Sequence, residues 1–453
     1  MAENHDLAHA MARLDALTDW ERRPRNKMRV GLEPMRDLAA RLGDPQKSFR
    51  SIHVAGTKGK GSVSALIEAA LAHADLRVGR YASPHVERIT ERVSVQGHDV
   101  DELTLARALN RALDAYEAGR TAGTPAVDAT WFDLLTAAAF IIFAETQREW
   151  AVIEVGLGGR LDSTNIVDGE VAVVTNIALE HTEILGHTRA AIAGEKVGIL
   201  KPGAVLITTL NADDEAGRVV QARADELGAR VKRTRLDVSA PIEQVNFALA
   251  AAVLGELRHK GVSACSGELV GAALLDSDTR LAARLPGRME RFDVEIGSKR
   301  LPVVMDGAHV PFNICAVLRD LSLTSDLSGP CVAIVALAVD KDAQGFVAEL
   351  AKRASTIVFT DLPGSSRGRS PVELKALAES LGLIGEVEPD AKEALKRGIE
   401  LARQANVWLL VTGSLYLVGA LRPAIGASPP MPDGAGSAPS LGPASVPGHD
   451  GSG

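Results

Sequence analysis

Short apolar runs alternate with stretches of helical spacing along most of this chain. Residues 49–55, 150–155, 171–177 and 203–209 read as buried strands, and 78–83 as a shorter one. Residues 62–74 and 130–145 read as apolar helices, and 6–42 as an amphipathic helical stretch with Leu7, Met11, Leu14 and Leu17 at helical spacing. Strands alternating with helices imply a mainly parallel sheet covered on both faces. At Pro286-Gly287-Arg288 the period breaks, and 292–296 and 301–305 flank Gly297-Ser298-Lys299-Arg300 as the arms of a hairpin would. A second alternation follows, with strands at 301–306, 331–337, 356–361 and 407–412 and helices at 312–322, 342–353, 371–381 and 391–404. The pattern predicts an α/β protein with a first domain over 1–285 and a smaller α/β domain over 286–423. From Ala424 the chain turns to Pro, Gly, Ser and Ala without periodicity, which predicts a disordered tail over 424–453.

Length agrees with this division, since 453 residues are too many for one core. Charged residues make up 24% and apolar ones 46%, as in an ordinary globular chain, and the formal net charge of -8 argues against a nucleic-acid surface. No apolar stretch approaches the ~20 residues that span a bilayer, and Met1-Ala2-Glu3-Asn4-His5-Asp6 is too polar for a secretory leader. The chain is therefore expected in the cytoplasm, with neither nucleic acid nor membrane as partner. Cys265, Cys315 and Cys331 lie far apart without metal-ligand spacing. They read as buried small hydrophobes in a reducing compartment.

The most specific chemistry lies in His53-Val54-Ala55-Gly56-Thr57-Lys58-Gly59-Lys60-Gly61-Ser62. A strand meets a helix here through three glycines, which let N–H groups approach an anion. The helix start points its positive dipole end at the same place. Lys60, expected on a solvent-facing loop, adds a mobile charge, and Ser62 a hydroxyl for phosphate or Mg2+. The spacing departs from G-x-x-x-x-G-K-[ST], because Val54 stands at the first Gly position and Gly61 interrupts Lys-Ser. A purely structural glycine turn is the plain alternative, and a lysine at this point weighs against it.

In an open parallel sheet, chemistry collects at the C-terminal ends of the strands. There the chain carries Tyr81-Ala82-Ser83-Pro84-His85, then Glu154-Val155-Gly156-Leu157-Gly158-Gly159-Arg160-Leu161-Asp162-Ser163-Thr164-Asn165, then Asn176-Ile177-Ala178-Leu179-Glu180-His181-Thr182-Glu183. Ser83, Glu154 and His181 would surround bound phosphates with a hydroxyl, a carboxylate and an imidazole, a partial shell for Mg2+. Each also has a structural reading. A histidine after a strand is ordinarily a hydrogen-bonder, and Glu154 could be paired with an arginine. An ionised group between Ile153 and Val155 is costly without such a partner.

Taken in order, these stretches resemble the folylpolyglutamate synthases and dihydrofolate synthases of the Mur ligase superfamily, over residues 30 to 422 or so. The resemblance implies a P-loop ATPase-type central domain followed by a Rossmann-like, Mur ligase-type C-terminal domain. It implies that Gly56, Thr57, Lys58, Gly59, Lys60, Gly61 and Ser62 hold ATP, with Lys60 catalytic. Ser83, Glu154 and His181 are implied as Mg2+ ligands, with two ions in all and His181 also catalytic. Glu195-Lys196-Val197-Gly198-Ile199-Leu200-Lys201-Pro202-Gly203 resembles the segment whose lysine is carbamylated in the superfamily, so the catalytic Lys196 is implied to bridge the second ion as a carbamate. From the residues alone Lys196 reads as a surface helix lysine. Asn246, Arg288, Asp306 and His309 match residues that meet the nucleotide. Asp340-Lys341-Asp342 and Thr412-Gly413-Ser414-Leu415-Tyr416 fit the C-terminal pattern. The chain departs from the family at Val310, where Asn is usual, at Ile242-Glu243, where a His-Gln pair is usual, and in a short 203–245 segment.

The implied activity is that of an ATP-dependent acid–amino-acid ligase of folate biosynthesis and one-carbon metabolism. The γ-phosphoryl group of ATP passes to a folate-type carboxylate, and the amine of L-glutamate then displaces phosphate. The acceptor is dihydropteroate, a reduced folylpolyglutamate or both, its pterin end near 83–95, and the protein is expected to act as a monomer. Three alternatives stand beside this reading. A cell-wall Mur ligase needs a UDP-sugar domain ahead of the loop, where 52 residues precede His53. A nucleotide switch or kinase leaves Asp306 and His309 unexplained. A non-catalytic folate- or nucleotide-binding homologue is at odds with Lys60, Glu154 and His181 occurring together.

Overall fold

Two sheets carry the two alternations in the computed structural model, which describes residues 6–20, 31–234, 236, 240–262, 276–296 and 299–425. Among these residues the first sheet takes β1 (Arg50–Ala55), β2 (Val78–Tyr81), β3 (Val93–Val95), β4 (His98–Asp99), β5 (Trp150–Glu154), β6 (Gly169–Val174), β7 (Val205–Thr208) and β8 (Arg230–Arg233). Their order is β4-β3-β2-β5-β1-β6-β7-β8, parallel except at the β2–β3 and β3–β4 pairs. The chain leaves β1 toward β2 on one side and later returns past it to β6 on the other. That change of direction opens a crevice at the C-terminal ends of β1, β5 and β6.

Helices α1 (Leu7–Asp15) and α2 (Glu33–Arg41) precede β1. Then come α3 (Lys60–His73), α4 (Glu102–Ala122), α5 (Trp131–Glu145), α6 (Thr182–Leu185), α7 (Arg189–Val197), α8 (Glu215–Glu226) and α9 (Ile242–His259). Side chains alternate across each strand, so Ile52 and Val54 of β1 face α3 and α9 in one apolar cluster. On the other face, α1, α2, α4 and α5 pack over Tyr81, Ala151 and Ile153, while α7 and α8 cover Ala172, Val174 and Leu206. Burial on both faces is why these strands read as continuous apolar runs.

The second sheet takes β9 (Glu290–Ile296), β10 (Lys299–Met305), β11 (Cys331–Val335), β12 (Ala354–Phe359), β13 (Ile384–Val387) and β14 (Trp408–Thr412), in the order β13-β12-β11-β14-β10-β9. Among the described residues of this sheet, only the β9–β10 hairpin is antiparallel. Helices Pro311–Leu321, Ala343–Leu350 and Pro371–Ser380 cover one face, and Ala391–Ala405 and Leu415–Ile425 the other.

Several expectations need correction. The 6–42 stretch is α1 and α2 rather than one helical run, and residues 21–30 between them lie outside the described residues. β13 falls between two helices read as consecutive. It is an edge strand, Ile384-Gly385-Glu386-Val387, with Ile384 exposed, so it lacks the buried apolar run that marks its neighbours. The last helix continues to Ile425, past the predicted start of the tail, and residues 426–453 lie outside the described ones. Cys331 is buried, but Cys315 is exposed, because Ile314, Val317, Leu318 and Leu321 form the inward stripe of its helix. Cys265 lies outside the described residues. No helix among the described residues is long and apolar enough to cross a membrane.

Candidate active site

The glycine-rich turn between β1 and α3 is sewn to the end of β6. Thr57 N–H donates to the Asn176 carbonyl at 2.9 Å, and Lys58 N–H to Asn176 Oδ1 at 3.0 Å. The Lys58 carbonyl accepts from Thr175 Oγ1 at 2.6 Å and from Asn176 Nδ2 at 3.0 Å. The approach is close enough that a Cβ on Gly56 (φ 145°) would stand 1.9 Å from Thr175 Oγ1, so no side chain fits there. Gly59 (φ 84°) is the N-cap of α3, and having no side chain it leaves the first-turn N–H groups without a side-chain cap. That is a cradle for an anion at the positive end of the helix. Asn246 of α9 closes its flank, with Oδ1 2.7 Å from where a Gly59 Cβ would be. Asn176 was not singled out from sequence, although it fixes the turn. Thr57, expected as a nucleotide ligand, uses its hydroxyl to accept from Ala178 N–H at 3.0 Å.

Two ammonium groups converge on one acceptor. Lys60 Nζ donates to the Gly56 carbonyl at 3.2 Å, and Lys196 Nζ to the same oxygen at 2.8 Å. Lys60 is the first residue of α3 and part-buried, not on a solvent-facing loop. Lys196 is buried, not a surface lysine, because it lies with Ile192, Ala193 and Val197 on the inward face of α7. Burial, with the charge of Lys60 adding to it, pushes its pKa down to about 7. Glu154 ends β5 on the same crevice. Its Oε2 is 3.4 Å from where a Gly61 Cβ would stand and accepts a long 3.4 Å bond from Ser83 N–H. Burial raises the Glu154 pKa, opposed by the charges of Lys60 and Arg288.

A polar knot crosses between the domains. Glu180 Oε1, after β6, accepts from Lys58 Nζ at 3.0 Å and from Lys341 Nζ at 3.4 Å. His309 Nδ1 lies 2.8 Å from the Gly307 carbonyl, which can only accept, so the ring proton sits on Nδ1. Burial, with the charge of Lys58 adding to it, pushes His309 down to about 4, leaving the ring neutral near pH 7. Its Nε2 then accepts from Lys58 Nζ at 2.9 Å. The same Nε2 is 2.9 Å from Glu180 Oε1. With the ring neutral, the Lys58 ammonium shared between these two acceptors holds the contact, not a His–Glu ion pair. Burial alone would raise the Glu180 pKa, but Lys58 above all holds it well below the carboxylate range. Lys58 itself is pushed down to about 8 by burial, despite Glu180.

His181 caps α6 in a left-handed conformation (φ 52°). Its ring comes together with the carboxylates of Glu183 and Asp340, within 4.8 Å of one another. Ser83, in contrast, comes together with Glu154. Asp306 is buried with both oxygens engaged, accepting from Met289 N–H and Ala308 N–H at 2.8 Å each, so it pins the linker to the end of β10. Arg288 stands on that linker, where its charge acts on the carboxylates of both Glu154 and Asp306. Beside the knot a cleft of about 550 Å³ lies between the domains, with Leu179, His181, Arg189, Phe312, Asp340 and Lys341 on its walls.

Residues 54–250 match the Mur ligase middle domain, and residues 287–415 match the Mur ligase, glutamate ligase domain. A parallel sheet with a glycine-rich loop at its crevice, and a second α/β domain reaching over it, make this a Mur-type ligase. The chain is 30% identical over 434 residues to the dihydrofolate synthase/folylpolyglutamate synthase of Bacillus subtilis (strain 168), which spans 87% of this chain and 95% of that protein. The Mycobacterium tuberculosis folylpolyglutamate synthase complexed with ADP and AMPPCP superposes with a TM-score of 0.77 at 27% identity, over 94% of this chain and 100% of that one. A bifunctional folylpolyglutamate synthase/dihydrofolate synthase with Mn, AMPPNP and L-glutamate bound gives a TM-score of 0.74 at 29% identity, over 93% and 98%. The chain belongs to the folylpolyglutamate synthase/dihydrofolate synthase family, the ATP-dependent glutamate ligases of folate metabolism.

Proposed function

We propose that this chain joins L-glutamate to a folate-type carboxylate through an acyl phosphate made with ATP, taking dihydropteroate, a reduced folylpolyglutamate or both. The observation that supports this most is the convergence of Lys60 and Lys196 on the Gly56 carbonyl, with the Glu154 carboxylate beside the same turn. Two lysine amines and a buried carboxylate at a helix start form a site for charged oxygens and their counter-ion.

A carboxylate is a poor electrophile, so the γ-phosphoryl group must first be transferred to it. The protein's share is to position the reactants and neutralise charge. In this reading the first-turn N–H groups of α3 cradle the phosphates, and Lys60 turns from the Gly56 carbonyl onto the transferring group. Glu154 suits a divalent cation, being a buried carboxylate whose one hydrogen bond among the described residues, from Ser83 N–H, is a long 3.4 Å. Ser83 and Glu154 on one side and His181 on the other would hold the Mg2+ ions, and a carbamate on Lys196 would add another anionic oxygen. Bound Mg2+ would supply charge neutralisation on the phosphate oxygens. The glutamate amine would enter through the interdomain cleft, where Glu180 keeps Lys341 oriented. Phosphate release measured with ATP, glutamate and each acceptor in turn tests the proposal, and no release with any acceptor would overturn it.

Arg288 makes a further expectation concrete. Since its guanidinium acts on a carboxylate in each domain, ATP plus Mg2+ should draw the domains together about this linker. Small-angle scattering should show compaction, and Arg288→Ala should diminish it. An unchanged radius of gyration in a chain shown to bind nucleotide would count against closure.

A further inference from the structure

Lys196 reaches the Gly56 carbonyl because the end of α7 is held against the end of β1, and the 156–165 loop does the holding. At its far end Asn165 is buried and its Nδ2 donates twice, to the Arg160 carbonyl at 2.9 Å and to the Gly198 carbonyl at 3.1 Å. Both partners can only accept, which fixes the amide orientation. Gly198 is the C-cap of α7, two residues past Lys196. In return Lys201 Nζ donates to the Asn165 carbonyl at 2.9 Å.

The rest of the loop completes a circuit. Arg160 N–H donates to the Glu195 carbonyl at 2.8 Å, and a Cβ on Gly159 would stand 2.8 Å from the carbonyl oxygens of both Glu195 and Lys196. Thr164 Oγ1 lies 2.9 Å from Nε2 of His53, which is fully buried on β1 three residues before Gly56. Asp162 stiffens the span by accepting from Leu157 N–H at 2.8 Å and Thr164 N–H at 3.1 Å. Hydrogen bonds thus run from β1 through the loop to the end of α7, and Lys196 closes the ring back onto β1.

We propose that Asn165 is a positioning residue for Lys196, holding the end of α7 so that the Lys196 amine stands at the phosphate loop where CO2 adds to it. This deepens the carbamate reading and rests on it. In the step, the nitrogen lone pair of neutral Lys196 forms an N–C bond to CO2. One C=O π bond opens to a carboxylate, and the nitrogen gives its proton to water. An amine no longer held at this place loses the surroundings that favour the anionic product, so the same occupancy demands more CO2.

The test uses the full chain and labelled bicarbonate, reading the lysine carbamate signal by NMR beside activity. Asn165→Asp sets an oxygen against two carbonyls, and Arg160→Ala removes only a half-exposed partner of Glu195, a change the fold tolerates. Asn165→Asp should lower carbamate occupancy in bicarbonate-poor buffer on the order of 10-fold, with excess bicarbonate restoring it and the KM for ATP unchanged. Arg160→Ala should shift the requirement in the same direction by a smaller factor. A structural role alone would lower Tm without creating a bicarbonate requirement. Wild-type occupancy in both variants would overturn the role of Asn165. Absence of the signal from the wild-type chain would remove the carbamate reading, and this role with it.

Discussion

Lys60→Ala should lower ATP-dependent phosphate release by about 10³-fold or more while leaving the fold intact. The loss follows from where charge develops. The transferring phosphoryl group carries its negative charge on oxygens that face the start of α3, and Lys60 is the mobile cation of that turn. Stability should hardly change. Lys60 is part-buried, its hydrogen bond to the Gly56 carbonyl is 3.2 Å long, and Lys196 still satisfies that oxygen after the substitution. Alanine is also a good helix former at the first position. Thermal unfolding should therefore coincide for the two proteins while phosphate release differs. Near-normal release would show that the loop does not act on the phosphoryl group. Lys58→Ala provides the contrast. That ammonium is committed to Glu180 and His309, so its removal should loosen the contact between domains as well as activity.

What the sequence made legible follows from which features are local. The phosphate loop could be read because its geometry is a backbone property, and backbone geometry is written in glycines such as Gly56 and Gly59. Strands β1, β5, β6 and β7 could be read because burial on both faces leaves continuous apolar runs. The polar edge strands β8 and β13 carry no such run and escaped. Their place is set by the neighbours they pair with.

The site was legible in the same uneven way. Glu180 was in view but received no role, because its partners His309 and Lys341 arrive from the second domain through long-range contacts. Asp306 was expected to face the nucleotide, whereas its oxygens are taken up by Met289 and Ala308 N–H groups. Lys196 could have been found from its spacing. It stands four residues after Ile192 and three after Ala193, on the apolar stripe of α7, where a charged residue needs a reason.

That spacing leads to the second large effect. Lys196→Ala should be almost inactive, and short carboxylates such as formate or acetate should restore part of the activity by placing an anion where the carbamate oxygens belong. Uncorrected full activity would show that Lys196 takes no part. The chemistry also has a definite pH sense. Only the neutral amine adds CO2, and burial together with Lys60 brings the Lys196 pKa down to about 7. The cation is the form penalised in the folded chain, so raising the pH relieves the penalty and increases the reactive fraction. Wild-type enzyme stripped of CO2 and then given bicarbonate, with the dissolved CO2 held constant at every pH, should regain activity faster as pH rises toward 7, by nearly 10-fold per unit well below the pKa, and then level off. The formate-rescued variant has no amine to titrate and should show no such rise in its recovery. An exposed lysine near 10.4 would still be gaining reactivity above pH 8, so a recovery rate that keeps climbing there would place the amine in water rather than against the Gly56 carbonyl.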